Sequence, residues 1–149
     1  MKLKIYTDGA CSGNPGKGGW AAIILDNNSN LSSISGSESN TTNNRMELLA
    51  PIMALKKIKE KSEVTIFTDS KYVKNGIEVW IHKWKDNGWM TAEKKPVKNK
   101  DLWTKLDKIQ KTKKIKWEWV KGHSSDKLNN EVDRIAREQA ESIGYNEKI

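Results

Sequence analysis

Two apolar segments of the chain end in the same dipeptide, a threonine followed by an aspartate. The first covers residues 3–8 and the second residues 64–69, and a stretch with helical periodicity lies between them. Such a β-α-β unit brings its two strands into parallel pairing through a right-handed crossover. The carboxyl ends of parallel strands meet at one edge of a sheet, so we predict that Asp8 and Asp69 end their strands side by side. Two carboxylates that close need a proton or a cation between them.

The remaining patterns predict a mixed α/β domain around that unit. Residues 1–39 have the alternation and the turn residues of three antiparallel strands, of which the polar third is an edge strand. Thr42 or Asn43 is suited to cap the helix that follows, and Gly76 is expected to end a short helix soon after Asp69. Further elements are predicted as short helices over residues 71–75 and 78–85, a helix through residues 102–109, a strand over residues 115–120 and a last helix over residues 132–143 that ends at Gly144.

Four acidic residues occupy strand ends or first helical turns, namely Asp8, Glu47, Asp69 and Asp133. Each one alone has an ordinary structural explanation, as a turn former or as the partner of a helix dipole. Together they form a set of hard oxygen ligands, which suits Mg²⁺ or Mn²⁺ and not zinc. A pair of such ions about 3.5–4 Å apart is a known arrangement for in-line displacement at phosphorus. The four acids therefore predict a metal-dependent site that acts on phosphate esters.

The positive charge of the chain is concentrated in one segment. Lysine and arginine total 27 against 19 acidic residues, a net charge of +8. Residues 71–116 alone contain 14 lysines and five acidic residues, a net charge of +9, which leaves −1 for the rest of the chain. The same segment contains Trp80, Trp84, Trp89 and Trp103. Two interpretations stay open: a solvated lysine-rich surface over tryptophans in the core, or a surface that binds nucleic acid with lysines at phosphates and aromatic rings at sugars or bases.

The length and composition limit the class of protein. A chain of 149 residues is enough for one domain with a substantial core, so residues 1–149 are predicted to form a single domain. No apolar run approaches the ~18 residues of a membrane-spanning helix, and no signal-peptide pattern opens the chain. The single cysteine excludes an intramolecular disulfide. We therefore expect a cytoplasmic protein without membrane contact.

The sequence resembles the type 1 ribonucleases H of the bacterial kind from Ile5 to about Gln139. The resemblance implies an endonuclease that cuts the RNA strand of an RNA–DNA hybrid and leaves 5′-phosphate and 3′-hydroxyl ends. It also implies a ribonuclease H-like α/β fold with a five-stranded mixed sheet of order 3-2-1-4-5, flanked by helices, and we expect a monomer. The motifs that carry the resemblance are YTDGACSGNPG at residues 6–16, TNNRME at residues 42–47, TDS at residues 68–70, WVKGH at residues 119–123, and Asn129 with Asp133.

The resemblance also assigns roles to individual residues. The four acids named above match the family's metal-binding carboxylates, which hold Mg²⁺, or Mn²⁺ in its place, with two ions in the complex with substrate. His123 matches the histidine of the family's mobile loop, and residues 80–99 match its basic protrusion. On the charge of the segment, and not on the resemblance, Lys83, Lys85, Lys94 and Lys95 are expected to meet phosphates. The matching residues along the RNA minor groove are Cys11, Asn14, Asn43 and Asn44, and those along the DNA strand are Thr42, Trp80, Trp84 and Asn99.

Three other functions are open on the sequence. One is a module of the same fold that binds hybrids or single strands without cleaving them, although four carboxylates without a metal would repel phosphate. Another is a different two-metal nuclease of this fold group, against which the protrusion and the Asn43–Asn44 pair argue. A phospho-acceptor signalling domain also places aspartates at strand ends, but its all-parallel sheet does not agree with residues 1–39. The chain departs from the family pattern at Asn40, Asp86, Asn87, Ser125 and Asn130.

Overall fold

The structure of the chain is a computed structural model, which describes residues 2–13, 15–59, 61–120 and 127–146. Side chains are described for these residues up to Ser142. The described residues form one five-stranded sheet with helices packed on both of its faces. Within these ranges, no helix is both long enough and apolar enough to cross a membrane.

Five strands form the sheet: β1 (Lys2–Gly13), β2 (Gly16–Leu25), β3 (Leu31–Thr41), β4 (Glu63–Thr68) and β5 (Lys114–Trp119). Their order across the sheet is β3-β2-β1-β4-β5. The first three strands pair antiparallel, whereas β4 pairs in parallel with both β1 and β5. This confirms the mixed sheet and the strand order that the family resemblance implies, with the polar β3 at one edge.

Helices cover both faces of the sheet. The described helices are α1 (Asn43–Lys57), α2 (Lys71–Asn75), α3 (Ile81–Asp86), α4 (Lys100–Gln110) and α5 (Lys127–Asn146), and a π-helical segment, Gly76–Trp80, joins α2 to α3. Successive strand side chains point to opposite faces. Ile5 and Ile66 therefore belong to the core cluster that includes Trp103 of α4. Tyr6 belongs instead to the cluster that includes Val132 of α5.

The prediction that Gly76 ends a helix is wrong. The chain stays helical from α2 to α3, and Gly76 itself has helical backbone angles, φ −64° and ψ −45°. A Cβ atom at this position would overlap the indole ring of Trp103. Gly76 is therefore needed for close packing against α4, since no larger side chain fits there. Gly144 also lies inside its helix, which continues to Asn146.

Asp8 does not end its strand, contrary to the prediction. β1 continues to Gly13 because β2 pairs with it along nearly its whole length, as far as Gly13 opposite Gly16. The parallel pairing with β4, by contrast, ends at Tyr6 opposite Phe67. Asp8 therefore lies two residues past Tyr6, the last residue of β1 that pairs with β4. This puts it at the same level as Asp69, the residue that directly follows β4.

Candidate active site

Three carboxylates converge at the carboxyl edge of the parallel strands. Asp8 comes from β1, Glu47 from the second turn of α1, and Asp69 from the position directly after β4. One carboxylate oxygen of each lies within 4.8 Å of the others. Asp8 is only 4% exposed and Glu47 only 5%. The expected meeting of Asp8 and Asp69 is thus observed, and Glu47 joins them from a neighbouring helix.

The start of α1 is placed by a cap and by a glycine. Thr42 caps the helix, since its hydroxyl accepts a hydrogen bond from the backbone N–H of Arg45 at 3.2 Å. β1 passes directly against this helix at Gly9, where a Cβ atom would lie 2.5 Å from the backbone nitrogen of Glu47. The backbone of Gly9 also hydrogen-bonds the Glu47 carboxylate. Glycine at position 9 therefore lets strand and helix bring their acids together.

Burial and mutual repulsion raise the pKa values of the two innermost acids. Burial, a hydrogen bond with Asp133 and the charge of Asp69 raise the pKa of Asp8 to about 8. Burial raises the pKa of Glu47 well above its ordinary value, with further contributions from the charges of Asp8 and Asp69. The Oε2 atom of Glu47 is buried and has no hydrogen-bond partner among the described residues. A set of hard oxygen donors with an unpartnered buried oxygen fits a divalent cation such as Mg²⁺ or Mn²⁺.

The fourth predicted acid lies beside this cluster and outside it. Asp133, in α5, hydrogen-bonds Asp8. Its Oδ2 atom forms an ion pair with Nη2 of Arg137, 2.9 Å away. The structure therefore brings three of the four predicted acids into one group and holds Asp133 next to Asp8, with part of its charge neutralised by Arg137, one helical turn away.

We predict that the metal-free protein loses stability as the pH rises. The folded pKa of Asp8, about 8, exceeds the ordinary value of 3.8, so the folded protein binds a proton that the unfolded chain releases. Its contribution to stability is complete below the ordinary pKa, and the free energy of unfolding falls as pH rises from about 4 to about 8. Thermal melting in EDTA across this range measures the effect. Asp8→Asn, which cannot ionise, should melt above the parent near pH 8, and an equal pH dependence in the two proteins would contradict the prediction.

A polar recess lies at the start of α1, the helix that also carries Glu47. It has a volume of about 240 Å³. Sequence reasoning assigned some of its lining residues to the RNA strand and others to the DNA strand, and the structure brings them to one place. Lys98 was not singled out, because nothing in the sequence distinguishes it from the other lysines of its segment. The lining residues are Gly13, Thr42, Asn43, Asn44, Lys98 and Asn99.

An aromatic groove adjoins the recess through Lys98, which lines both. The groove has a volume of about 350 Å³, and its other lining residues are Tyr72, Trp80 and Trp84. The rings of Trp80 and Trp84 are tilted, with centroids 5.9 Å apart. Trp103, in contrast, is fully buried. Trp103 therefore serves the core, whereas Trp80 and Trp84 line a surface groove.

The lysines of the protrusion have different surroundings. Lys85 points its Nζ atom at Oδ1 of Asp107, 2.7 Å away, and Lys111 approaches the other oxygen of the same buried carboxylate at 3.4 Å. Lys83, two residues before Lys85 in α3, is exposed. The charge of Lys85 is therefore already used within the protein, whereas we observe no such ion pair for Lys83 in the described part of the chain.

The other predicted contact residues are only partly described. Cys11 is half-buried on β1, and its Sγ atom lies 3.4 Å from the carbonyl oxygen of Thr41. Asn14 and His123 lie outside the described residues, as does Ser125. Sequence reasoning missed Tyr72, although its position three residues after Asp69 in the first turn of α2 places it near the carboxylates.

Comparison with known proteins agrees with this arrangement. The profile of the RNase H family matches residues 1–141. The ribonuclease H of Brucella anthropi is 54% identical over 144 residues, which cover 97% of this chain and 93% of that protein. The ribonuclease H of Mesorhizobium japonicum is 56% identical over 137 residues, covering 92% of this chain and 77% of that protein.

Solved structures have the same fold. LC9-RNase H1, described as a type 1 RNase H with the type 2 active-site motif, superposes with a TM-score of 0.83 at 27% identity, over 95% of this chain and 72% of that one. LC11-RNase H1, solved in complex with an RNA/DNA hybrid, superposes with a TM-score of 0.67 over 95% of this chain and 98% of that one. Its identity is 23%, so this second likeness concerns the fold alone.

Proposed function

Because the chain belongs to the ribonuclease H family of enzymes, we propose that it hydrolyses the RNA strand of RNA–DNA hybrids as an endonuclease. One observation carries the proposal. Glu47 lies in the helix whose first residues line the polar recess, and Asp69 lies three residues before Tyr72, which lines the aromatic groove. A binding module without catalysis would gain nothing from a cluster of buried acids, since burying them is costly and they offer no positive charge to the phosphates of its ligand.

The acids are suited to hold the cations that this chemistry needs. Two divalent ions bound by Asp8, Glu47, Asp69 and Asp133 would supply the positive charge that activates a water molecule and offsets the charge of the phosphate. The water oxygen attacks phosphorus, and the bond from phosphorus to the 3′-oxygen breaks. The products are a 5′-phosphate and a 3′-hydroxyl. We assign His123 to proton transfer or to product release, and not to metal binding.

The two strands of a hybrid would contact different residues of this surface, with the recess contacting both strands and the groove the DNA strand alone. Short polar side chains can contact the 2′-hydroxyls in a wide, shallow minor groove without reading sequence, and we assign Cys11, Asn14, Asn43 and Asn44 to the RNA strand. Flat aromatic faces pack against deoxyribose, which lacks the polar 2′-hydroxyl, and we assign Thr42, Trp80, Trp84 and Asn99 to the DNA strand. Phosphate contacts then set the register of the duplex on the protein.

A substrate comparison tests the proposed function. The protein is incubated with Mg²⁺ and labelled RNA–DNA hybrid, RNA duplex or DNA duplex of the same sequence. We expect cleavage of the RNA strand in the hybrid only, with 5′-phosphate ends. Binding of the hybrid without cleavage would favour the non-catalytic module, and release of single nucleotides from strand ends would favour an exonuclease.

We predict that cleavage needs several consecutive ribonucleotides. If the assigned residues of the RNA strand contact successive 2′-hydroxyls, a single hydroxyl satisfies only one of them. DNA duplexes that contain one, two, four or six consecutive ribonucleotides in the labelled strand provide the measurement. The longest stretches should be cut and the single ribonucleotide should not, and efficient cleavage at one ribonucleotide would contradict the proposed contacts.

We predict that Lys83 and Lys85 respond differently to substitution. A lysine that contacts phosphate releases about one condensed counterion, so Lys83→Ala should reduce the slope of log K against log salt by up to ~0.9. Lys85→Ala should leave the slope unchanged and lower the melting temperature, because buried Asp107 loses its closer partner. Fluorescence titration at several salt concentrations measures both slopes. A reduced slope in Lys85→Ala, with normal melting, would show that Lys85 contacts the substrate as first expected.

A further inference from the structure

The side chain of Asn99 is held from two sides by residues of other helices. Nη1 of Arg45 donates a hydrogen bond to Oδ1 of Asn99 at 3.2 Å. Nδ2 of Asn99 donates to the hydroxyl of Tyr72 at 3.0 Å. We propose that Arg45 and Tyr72 are positioning residues, which orient the Asn99 amide toward the DNA strand of the hybrid and so set the affinity for substrate. This inference rests on the proposed function, which places Asn99 at that strand.

The side chain of Asn99 is not oriented by a helix-capping hydrogen bond. Asn99 precedes α4 with φ 60° and ψ 28°, the left-handed conformation, and its side chain makes no capping hydrogen bond. Asparagine in front of a helix ordinarily accepts a hydrogen bond from the first turn. A left-handed residue other than glycine persists where the surroundings determine it, and such residues cluster at functional sites. Here the surroundings are Arg45 and Tyr72.

Arg45 is itself fixed by an ion pair. Its guanidinium makes two parallel hydrogen bonds to the carboxylate of Asp101, at 2.9 Å and 2.7 Å. Such a paired arrangement defines the position of both groups. Arg45 lies in the first turn of α1, directly after Asn44. Asp101 lies in the first turn of α4, two residues after Asn99. The ion pair therefore joins the start of α1 to the start of α4, and residues at both of these helix ends line the polar recess.

Tyr72 joins the polar recess to the aromatic groove. Its hydroxyl accepts a second hydrogen bond, from Nε1 of Trp103 at 2.9 Å, and Trp103 is fully buried. Its ring meets that of Trp80 edge-on, with centroids 5.6 Å apart. Tyr72 thus contacts the core and a residue assigned to the DNA strand while it holds Asn99. One N–H of the Asn99 amide is donated to Tyr72, and we assign the other to a phosphate oxygen of the DNA strand.

A double-mutant cycle on Tyr72 and Asn99 tests the inference. Binding of a hybrid is measured in the Asp69→Asn background, where binding does not depend on cleavage. If Tyr72 acts through Asn99, we expect Tyr72→Phe and Asn99→Ala each to raise Kd about tenfold, and the double variant to match Asn99→Ala alone. In the parent background KM should rise while kcat stays within about threefold, since the contact is equal in ground and transition states. Additive effects, near a hundredfold in the double variant, would overturn the inference.

A second variant keeps the inference testable if Tyr72→Phe folds poorly. Arg45→Lys retains the charge, but a lysine cannot contact Asn99 and Asp101 at once as the planar guanidinium does. The Kd of this variant for hybrid should therefore rise about as much as that of Asn99→Ala. An unchanged Kd would overturn the role of Arg45. Lys116→Arg, which keeps the charge at the residue whose Nζ atom lies 3.0 Å from Glu118 on β5, is the matched control and should leave Kd unchanged.

Failure of the proposed function can be separated from failure of this inference. If the parent protein binds no hybrid, the proposed function fails. The positioning role is then measured in the free protein by NMR of the Asn99 side-chain amide. Its signals should shift in Tyr72→Phe and in Arg45→Lys and stay in place in Lys116→Arg. Unshifted signals in the first two variants would overturn the inference whatever the substrate.

Discussion

Asp69→Asn should lower the rate of hybrid cleavage by at least about a thousandfold, because loss of one metal ligand removes several kcal/mol of transition-state stabilisation. The fold should survive the change. Asp69 is not part of the buried core, and its charge helps to raise the pKa values of Asp8 and Glu47. Removal of that charge lowers the repulsion in the metal-free cluster, so the variant should melt at or above the temperature of the parent in EDTA.

The measurement combines turnover with melting in the presence and absence of Mg²⁺. The parent should melt higher with Mg²⁺, since a ligand that binds only the folded state stabilises it, and Asp69→Asn should lose most of that increase. Glu63→Gln is the matched control, because Glu63 begins the same strand that Asp69 follows. Turnover of Asp69→Asn within about tenfold of the parent would refute the assignment of the metal-binding carboxylates.

Gly9→Ala should both destabilise the protein and inactivate the folded remainder. The added Cβ atom would lie 2.5 Å from the backbone nitrogen of Glu47 and 2.5 Å from the carbonyl carbon of Met46. Backbone atoms cannot rotate away as a side chain can, so β1 and α1 must separate, at a cost of about 3 kcal/mol. Because these elements carry Asp8 and Glu47, a displacement of about 1 Å should reduce the rate by a further ~10²-fold.

Urea unfolding gives the loss of stability, and turnover at low temperature gives the activity of the molecules that remain folded. Gly88→Ala is the control, because it adds a Cβ atom without a steric clash and tests only the cost of an alanine at positive φ. Gly88 has φ 70° and no atom within 4 Å of an added Cβ atom, so its substitution should cost only about 1 kcal/mol through backbone strain. If Gly9→Ala were no more destabilising than Gly88→Ala, β1 and α1 would not be held in contact as the structure shows.

Most elements of the fold could be predicted from the sequence because they depend on neighbours in the chain. Thr42 caps α1 as expected, since an N-cap hydrogen bond spans only three residues. The alternation of residues 1–39 predicted three antiparallel strands, and the polar pattern identified the edge strand. The prediction that Gly76 ends a helix was wrong because it, too, relied only on neighbours in the chain. A glycine inside a helical pattern resembles a helix end when the ring that packs against it lies elsewhere in the sequence.

The carboxylate cluster could also be predicted in outline. Parallel pairing through a β-α-β unit determines that Asp8 and Asp69 reach the same level, whatever side chains surround them. The division of the four acids into a group of three and a neighbour depended on packing. Asp133 is placed by the position of α5 on the sheet and by its ion pair with Arg137, which no periodicity in the sequence expresses.

The sequence by itself determined the family, the strand order that goes with it and the acids of the site, because repeated motifs and short-range patterns express all three. Only the tertiary structure decided which polar residues pair with one another within the fold. Of the 14 lysines in residues 71–116, Lys85 is the one 2.7 Å from Asp107, and Asn99 is oriented by Arg45, 54 positions away in the chain. Hydrogen bonds and ion pairs act over a few ångströms, so these contacts exist only after packing has brought distant segments together.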